Sequence, residues 1–224
     1  MADGCLFYYI TDRTALAPDE PSRCRRLLDK IAEATRANID YIQLREKNLH
    51  PRDVESLAKE AGSIIEKLRT ENPELRTALL INSRTDIALA AHADGVHLRS
   101  DDISPEEVRA VWKKRGVGAP ARANSPQDPV IGVSCHSPAD VAQAAANSAS
   151  FAVFAPVFEK KDARPKGLDL LREACGANIP VLALGGVTLA KVQSCLETGA
   201  AGIAAIRLFQ ENNIVEVTQR LRNP

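Results

Sequence analysis

Short apolar runs recur along the chain, and each is followed by a longer stretch in which apolar positions return every three or four residues. Leu6-Phe-Tyr-Tyr-Ile10 opens the series, and its aromatic and β-branched content predicts a strand. Residues 22–38 then carry Leu27, Leu28, Ile31, Ala34 and Thr35 on one helical stripe. The same alternation continues with a strand at 41–44, a helix from Pro51 through Leu68, and a strand at 77–81. A short helix over 85–92 and a strand at 95–98 come next. Ser104-Pro-Glu-Glu107 starts a helix, with proline at its first position and a glutamate three residues after the cap. Residues 116–127 are rich in Gly, Pro, Ala and Ser and read as a surface loop.

Further strands follow at 130–133, 151–154, 181–184 and 202–206. Their helices are opened by Ser137-Pro138, over 167–175, by Thr188 as a cap, and by a closing helix over 209–222. Eight strands, apolar on both faces and separated by helices, describe a parallel sheet covered by helices. Eight such units in this length predict a single-domain (β/α)8 TIM barrel over residues 1–224. An open doubly wound sheet is the alternative. The first strand is not followed by Gly-x-Gly-x-x-Gly, which argues against a dinucleotide site.

Composition sharpens the picture. Lys and Arg number 29, as do Asp and Glu, so the net charge is zero. A general attraction to nucleic acid or a membrane surface is not expected, and any anion binding must be local. No apolar run reaches the roughly 20 residues of a membrane span, and no secretory leader is expected. The five cysteines show no CxxC spacing and no disulfide framework, which favours a reducing cytoplasm. Oligomeric state is left open, a homo-oligomer included.

In a barrel the loops after the strands meet at one rim, where active sites form. The residues there are Gln43, Arg45, Lys47, Asn82, Asp101, Asp102, Ser134, His136, Lys160, Lys161, Gly185, Gly186 and Arg207. Gln43, Arg45 and Lys47 fall at every second position, which on a strand places them on one face. Each feature has a plainer reading: the lysine pair as a solvated loop, the glycine pair as a tight turn, Asp101-Asp102 as helix-start charge, His136 as a structural histidine. Taken together, five cations at one rim of a neutral molecule point to a bound polyanion. Asp102 among them reads as a Mg²⁺ ligand shared with a diphosphate, and the glycine pair as a second phosphate cradle.

This chemistry is carried by Tyr9-Ile-Thr-Asp-Arg13, Gln43-Leu-Arg-Glu-Lys47, Ile81-Asn82, Ala93-Asp-Gly-Val-His97, Ile131-Gly-Val-Ser134, Pro156-Val-Phe158, Leu184-Gly-Gly186 and Gly199-Ala-Ala-Gly202. Together these segments resemble the thiamine phosphate synthase and thiazole tautomerase family. The resemblance implies a Mg²⁺-dependent transferase with two small-molecule substrates. It joins 4-amino-2-methyl-5-hydroxymethylpyrimidine diphosphate to 4-methyl-5-(2-phosphoethyl)thiazole and releases diphosphate. By the same resemblance, Gln43, Arg45, Lys47 and Asn82 would bind the pyrimidine diphosphate. Ser134 would hydrogen-bond the leaving group and Lys160 would grip it. Asp102 would hold Mg²⁺, and Gly186 with the backbone of Ile206 and Arg207 would hold the thiazole phosphate.

Three departures stand out. Ser83 follows Asn82 where the synthases usually carry a metal-binding aspartate, Glu159 follows Phe158 where they usually carry a threonine segment, and Arg207 replaces a common serine. The first departure is shared with the tautomerase, whose proton-transferring histidine matches His136. Three readings therefore stand at this point: the transferase, a metal-independent isomerase using His136, and a non-catalytic thiazole phosphate binder.

Overall fold

Every strand pairs in parallel with its neighbours, and the last strand returns to pair with the first, so the sheet closes on itself. The computed structural model describes residues 4–115, 128–158 and 164–222. The strands are β1 (Leu6–Ile10), β2 (Tyr41–Leu44), β3 (Ala78–Asn82), β4 (Gly95–Leu98), β5 (Val130–Cys135), β6 (Phe151–Phe154), β7 (Val181–Ala183) and β8 (Gly202–Ala205). The helices are α1 (Glu20–Arg36), α2 (Pro51–Glu71), α3 (Thr85–Ala90), α4 (Pro105–Arg115), α5 (Pro138–Ala146), α6 (Gly167–Ala174), α7 (Leu189–Leu196), α8 (Arg207–Gln210) and α9 (Ile214–Arg222). The chain is a (β/α)8 barrel. The open-sheet alternative is overturned by the β1–β8 pairing.

Alternation along each strand divides the core in two. Odd positions of β1, Phe7 and Tyr9, face outward and pack edge-on against Phe209 at 6.4 and 6.2 Å. Even positions face the barrel axis, where Tyr8 and Ile10 join Leu80, Phe151, Val153, Leu182 and Ala204. Tyr41 stacks on Phe151 at 4.6 Å and Tyr8 meets the same ring edge-on at 5.3 Å. Such pairs add about 0.5–1.5 kcal/mol each beyond their burial. This aromatic plug fills the lower barrel and leaves the polar inward positions stacked above it.

The helix starts follow local chemistry. Ser104 and Glu107 cap each other reciprocally at 3.2 and 2.8 Å, as do Ser137 and Asp140. Thr188 stands at the start of α7 but makes no side-chain cap bond, contrary to expectation. The expected closing helix over 209–222 is two helices. Gln210 turns inward, donating to the Asp12 carbonyl at 2.7 Å and accepting from the Tyr9 hydroxyl at 3.1 Å. Asn213 then caps a new start by accepting from the Glu216 amide. The Asp12 amide also donates to Gln210 at 3.1 Å, and three long-range bonds to one buried amide outweigh continuation of the helix.

Candidate active site

β3 and β5 run farther than their apolar cores suggest, so Asn82 and Ser134 are strand residues, not loop residues. Register puts Gln43 opposite Leu80, Asn82 opposite His97, and His97 opposite Gly132. Gln43, Asn82, His97 and Ser134 thus all point inward at the carboxyl end of the barrel. Gln43 is 2% exposed and donates to the Asn82 amide oxygen at 2.7 Å. Asn82 donates in turn to Ser83 Oγ at 3.3 Å, and the Ser83 hydroxyl helps to hold the Asp102 carboxyl down. Ser83 holds a left-handed backbone, φ 58°, an uncommon conformation of the kind that collects at functional sites.

Asp102 is partly buried, its side chain 13% exposed. Burial pushes its carboxyl up, but the Arg99 amide at 2.7 Å, the Ser83 hydroxyl and the Arg99 guanidinium outweigh that and hold it below the usual range. It is therefore an anion at neutral pH. Asp101 is exposed and pairs with Arg99 at 3.4 Å. Among the described residues no three His, Cys, Asp or Glu side chains gather as a metal cluster. The hard oxygen donors at hand are one carboxylate and its Ser83 and Asn82 neighbours, which suit Mg²⁺ only if phosphate and water oxygens complete the shell.

His97 is buried and lies between two hydroxyls. Its Nε2 is 2.8 Å from Ser134 Oγ and its Nδ1 is 3.1 Å from the Tyr8 hydroxyl. Burial, and next the charge of Arg45, push its pKa down to about 3, so the ring is neutral. Gly132 makes room for this arrangement: a Cβ there would stand 2.6 Å from the Phe151 ring and 2.9 Å from His97 Nδ1.

Strand alternation does not extend through Lys47 as expected. β2 ends at Leu44, and a turn follows in which the Leu49 amide reaches the Glu46 carbonyl. The turn is held from inside. Thr11 Oγ accepts from the Arg45 amide at 3.0 Å and donates to Glu46 at 2.6 Å, and Glu46 pairs with buried Arg13 at 3.1 Å. Burial, opposed by the Thr11 and Arg13 hydrogen bonds, leaves the Glu46 carboxyl above its usual range. Lys47 is exposed on this turn.

Across the rim, Gly185 and Gly186 hold φ of 100° and 66°. A Cβ on Gly185 would stand 2.8 Å from Pro156, so both backbone shape and contact require glycine. Lys191 Nζ lies 3.5 Å from the Gly186 carbonyl and 4.6 Å from the centre of the Phe158 ring. Ile206 is half-buried at the start of α8 and Arg207 is exposed beside it. His136 is exposed, with Nδ1 2.8 Å from the Ala155 carbonyl; it is not part of the Gln43–Asn82–Ser83 line. Lys160 and Lys161, with Glu159 and Asp162, lie outside the described residues, as does the loop 116–127.

Residues 7–209 match the family described as thiamine monophosphate synthase. The chain belongs to that family. It is 32% identical over 207 residues to the thiamine-phosphate synthase of Clostridium tetani, covering 90% of this chain and 86% of that one. The thiamine-phosphate synthase of Methanoculleus marisnigri is 33% identical over 226 residues, covering 98% and 95%. Among solved structures, thiamine phosphate pyrophosphorylase from Pyrococcus furiosus superposes with a TM-score of 0.75 at 27% identity, over 99% of this chain and 96% of that one. 3-Hexulose-6-phosphate synthase, at 18% identity and a TM-score of 0.60, shares the fold alone.

As a member of the thiamine monophosphate synthase family the chain is a transferase of thiamine biosynthesis. Within that frame, sequence reasoning missed Tyr8, His97, Glu46 and Lys191. Tyr8 and His97 are embedded in apolar strands, where a single polar residue carries no periodic signal. Glu46 and His97 both lie inside segments that carry the family resemblance, Gln43-Leu-Arg-Glu-Lys47 and Ala93-Asp-Gly-Val-His97, but neither segment by itself assigns them a role. Lys191, three residues past Thr188 at the first turn of α7, had a positional signal that went unused.

Proposed function

We propose that the chain makes thiamine phosphate by transferring the pyrimidine-methyl group of 4-amino-2-methyl-5-hydroxymethylpyrimidine diphosphate to the nitrogen of 4-methyl-5-(2-phosphoethyl)thiazole. The observation that carries this reading is the hydrogen-bonded line Gln43–Asn82–Ser83, with Asp102 near it and His97–Ser134 beside it, at the rim of a barrel of this family. Gln43 and Asn82 offer amide groups to the pyrimidine. Arg45 and Lys47, with Lys160 read from the sequence, oppose the charge that grows on the departing diphosphate. Ser134 donates to that leaving group. Asp102 would hold Mg²⁺, which adds positive charge to the diphosphate when bound. Gly186 and the backbone at Ile206 and Arg207 would seat the thiazole phosphate beside the reacting carbon, which is catalysis by orientation.

No covalent nucleophile is required, so the cysteines need no role in the reaction. We read residues 1–224 as one domain, in keeping with a sheet whose first and last strands pair. No helix among the described residues is long and apolar enough to cross a membrane, and we place the protein in the cytoplasm, where its phosphorylated substrates would be made.

The test is direct. Purified protein given both substrates and Mg²⁺ should form thiamine phosphate, and Arg45→Ala should lower turnover about 10²–10³-fold with the fold intact. No product at high enzyme concentration would overturn the reading. An isomerase acting through His136 would instead be indifferent to EDTA and would exchange protons on the thiazole without the pyrimidine substrate.

A further inference from the structure

We infer that Tyr8 and His97 are positioning residues which fix the Ser134 hydroxyl as a hydrogen-bond donor toward the rim. The inference rests on the reading of the site as a diphosphate site. Tyr8 lies on β1, His97 on β4 and Ser134 on β5, and all three point to the barrel axis. Tyr8 is 0% exposed, and among the described residues its hydroxyl has one hydrogen-bond partner, His97 Nδ1. Burial holds the phenol far from ionisation, so it keeps its proton and must place it. A buried O–H left without an acceptor costs about 1–3 kcal/mol, and Nδ1 is the acceptor in reach.

The consequence passes along the line. A neutral imidazole has one N–H, and with Nδ1 accepting, that N–H is on Nε2. Nε2 then donates to Ser134 Oγ across 2.8 Å. Ser134, already an acceptor on its inner side, has its own proton free to point outward at an anionic oxygen. The reverse tautomer would make Ser134 donate inward and turn lone pairs toward a diphosphate. Tyr8 therefore selects the useful tautomer from the floor of the barrel, and no charge has to be buried to do so.

Nitrogen-15 NMR of histidine-labelled protein reads which ring nitrogen of His97 carries the proton. The expected result is protonated Nε2 and bare Nδ1; a proton on Nδ1 would overturn the inference. Tyr8→Phe keeps the ring and removes the O–H. It should shift His97 toward a tautomer mixture and weaken binding of inorganic diphosphate with Mg²⁺ about fivefold to tenfold. In a Ser134→Ala background the same change should have no further effect, and additive losses would overturn the inference. His97→Gln, whose amide N–H can stand where Nε2–H stood, should retain more diphosphate affinity than His97→Leu; equal losses would count against it. Absence of diphosphate binding in the wild type would defeat the functional reading instead, while the tautomer measurement would still decide this one.

Discussion

Thr11 Oγ donates to the Glu46 carboxylate across 2.6 Å, tying the end of the first strand to the turn after the second. The same oxygen accepts from the Arg45 amide, so the chain bearing Arg45 and Lys47 is anchored from behind by groups that never face the rim. Arg13 completes the anchor with two backbone contacts and a guanidinium bond to the same carboxylate.

This anchor predicts a steep dependence on Glu46. Glu46→Ala leaves the buried Arg13 with Glu20 as its remaining carboxylate partner and strips the Thr11 hydroxyl and the Arg13 amide of their acceptor, so it should cost about 1–3 kcal/mol of stability. Glu46→Gln, which still accepts from Thr11, should cost less. Urea unfolding midpoints measure both, and equal small losses would refute the anchor.

A second prediction concerns packing at Gly132. A methyl group there would press on the Phe151 ring and on His97 Nδ1 at once. Gly132→Ala should therefore destabilise the protein by about 1–3 kcal/mol, the usual cost of overpacking a filled core. An unchanged denaturation midpoint would show that the barrel axis is looser than its geometry implies.

Acid should act through His97. The unfolded chain takes up a proton on this residue below about pH 6.5, whereas the folded chain keeps it neutral down to about 3. More protons are bound by the unfolded state in that window, so stability is lost as the pH falls through it. Between pH 7 and 5 the wild type should lose about 2 kcal/mol more than His97→Gln does. The other three histidines are common to both proteins, so the difference isolates His97; parallel pH profiles would contradict the prediction.

The single carboxylate at Asp102 makes a prediction about metal. Calorimetry with Mg²⁺ alone should show no binding at millimolar concentration. With inorganic diphosphate present, Mg²⁺ should bind, because phosphate oxygens then complete its shell. Asp102→Asn should weaken that joint binding. Tight binding of Mg²⁺ without diphosphate would mean that further ligands exist.

The barrel was legible in the chain because its signals are local. Each strand is a short apolar run, most helices carry an apolar stripe and several open on a capping residue, and the repeat count follows from reading them in order. Gln43, Asn82, Asp102 and Ser134 could be assigned to one rim for the same reason, since each follows or ends a recognisable strand. The break between α8 and α9 was not legible, because Gln210 finds its partners about 200 positions away, at Tyr9 and Asp12.

Taken alone, the sequence determined the eightfold alternation and which end of the sheet would gather polar groups. It also determined where glycine frees the backbone after the seventh strand, because periodicity and backbone freedom are properties of neighbours along the chain. Only the tertiary structure decided that Tyr8 meets His97 across 89 positions and that His97 meets Ser134 across 37. The first meeting joins strands that are not adjacent in the sheet and depends on its closure, and the second depends on the register between β4 and β5. A hydrogen bond requires two atoms to agree within a few tenths of an ångström, and no local pattern encodes that.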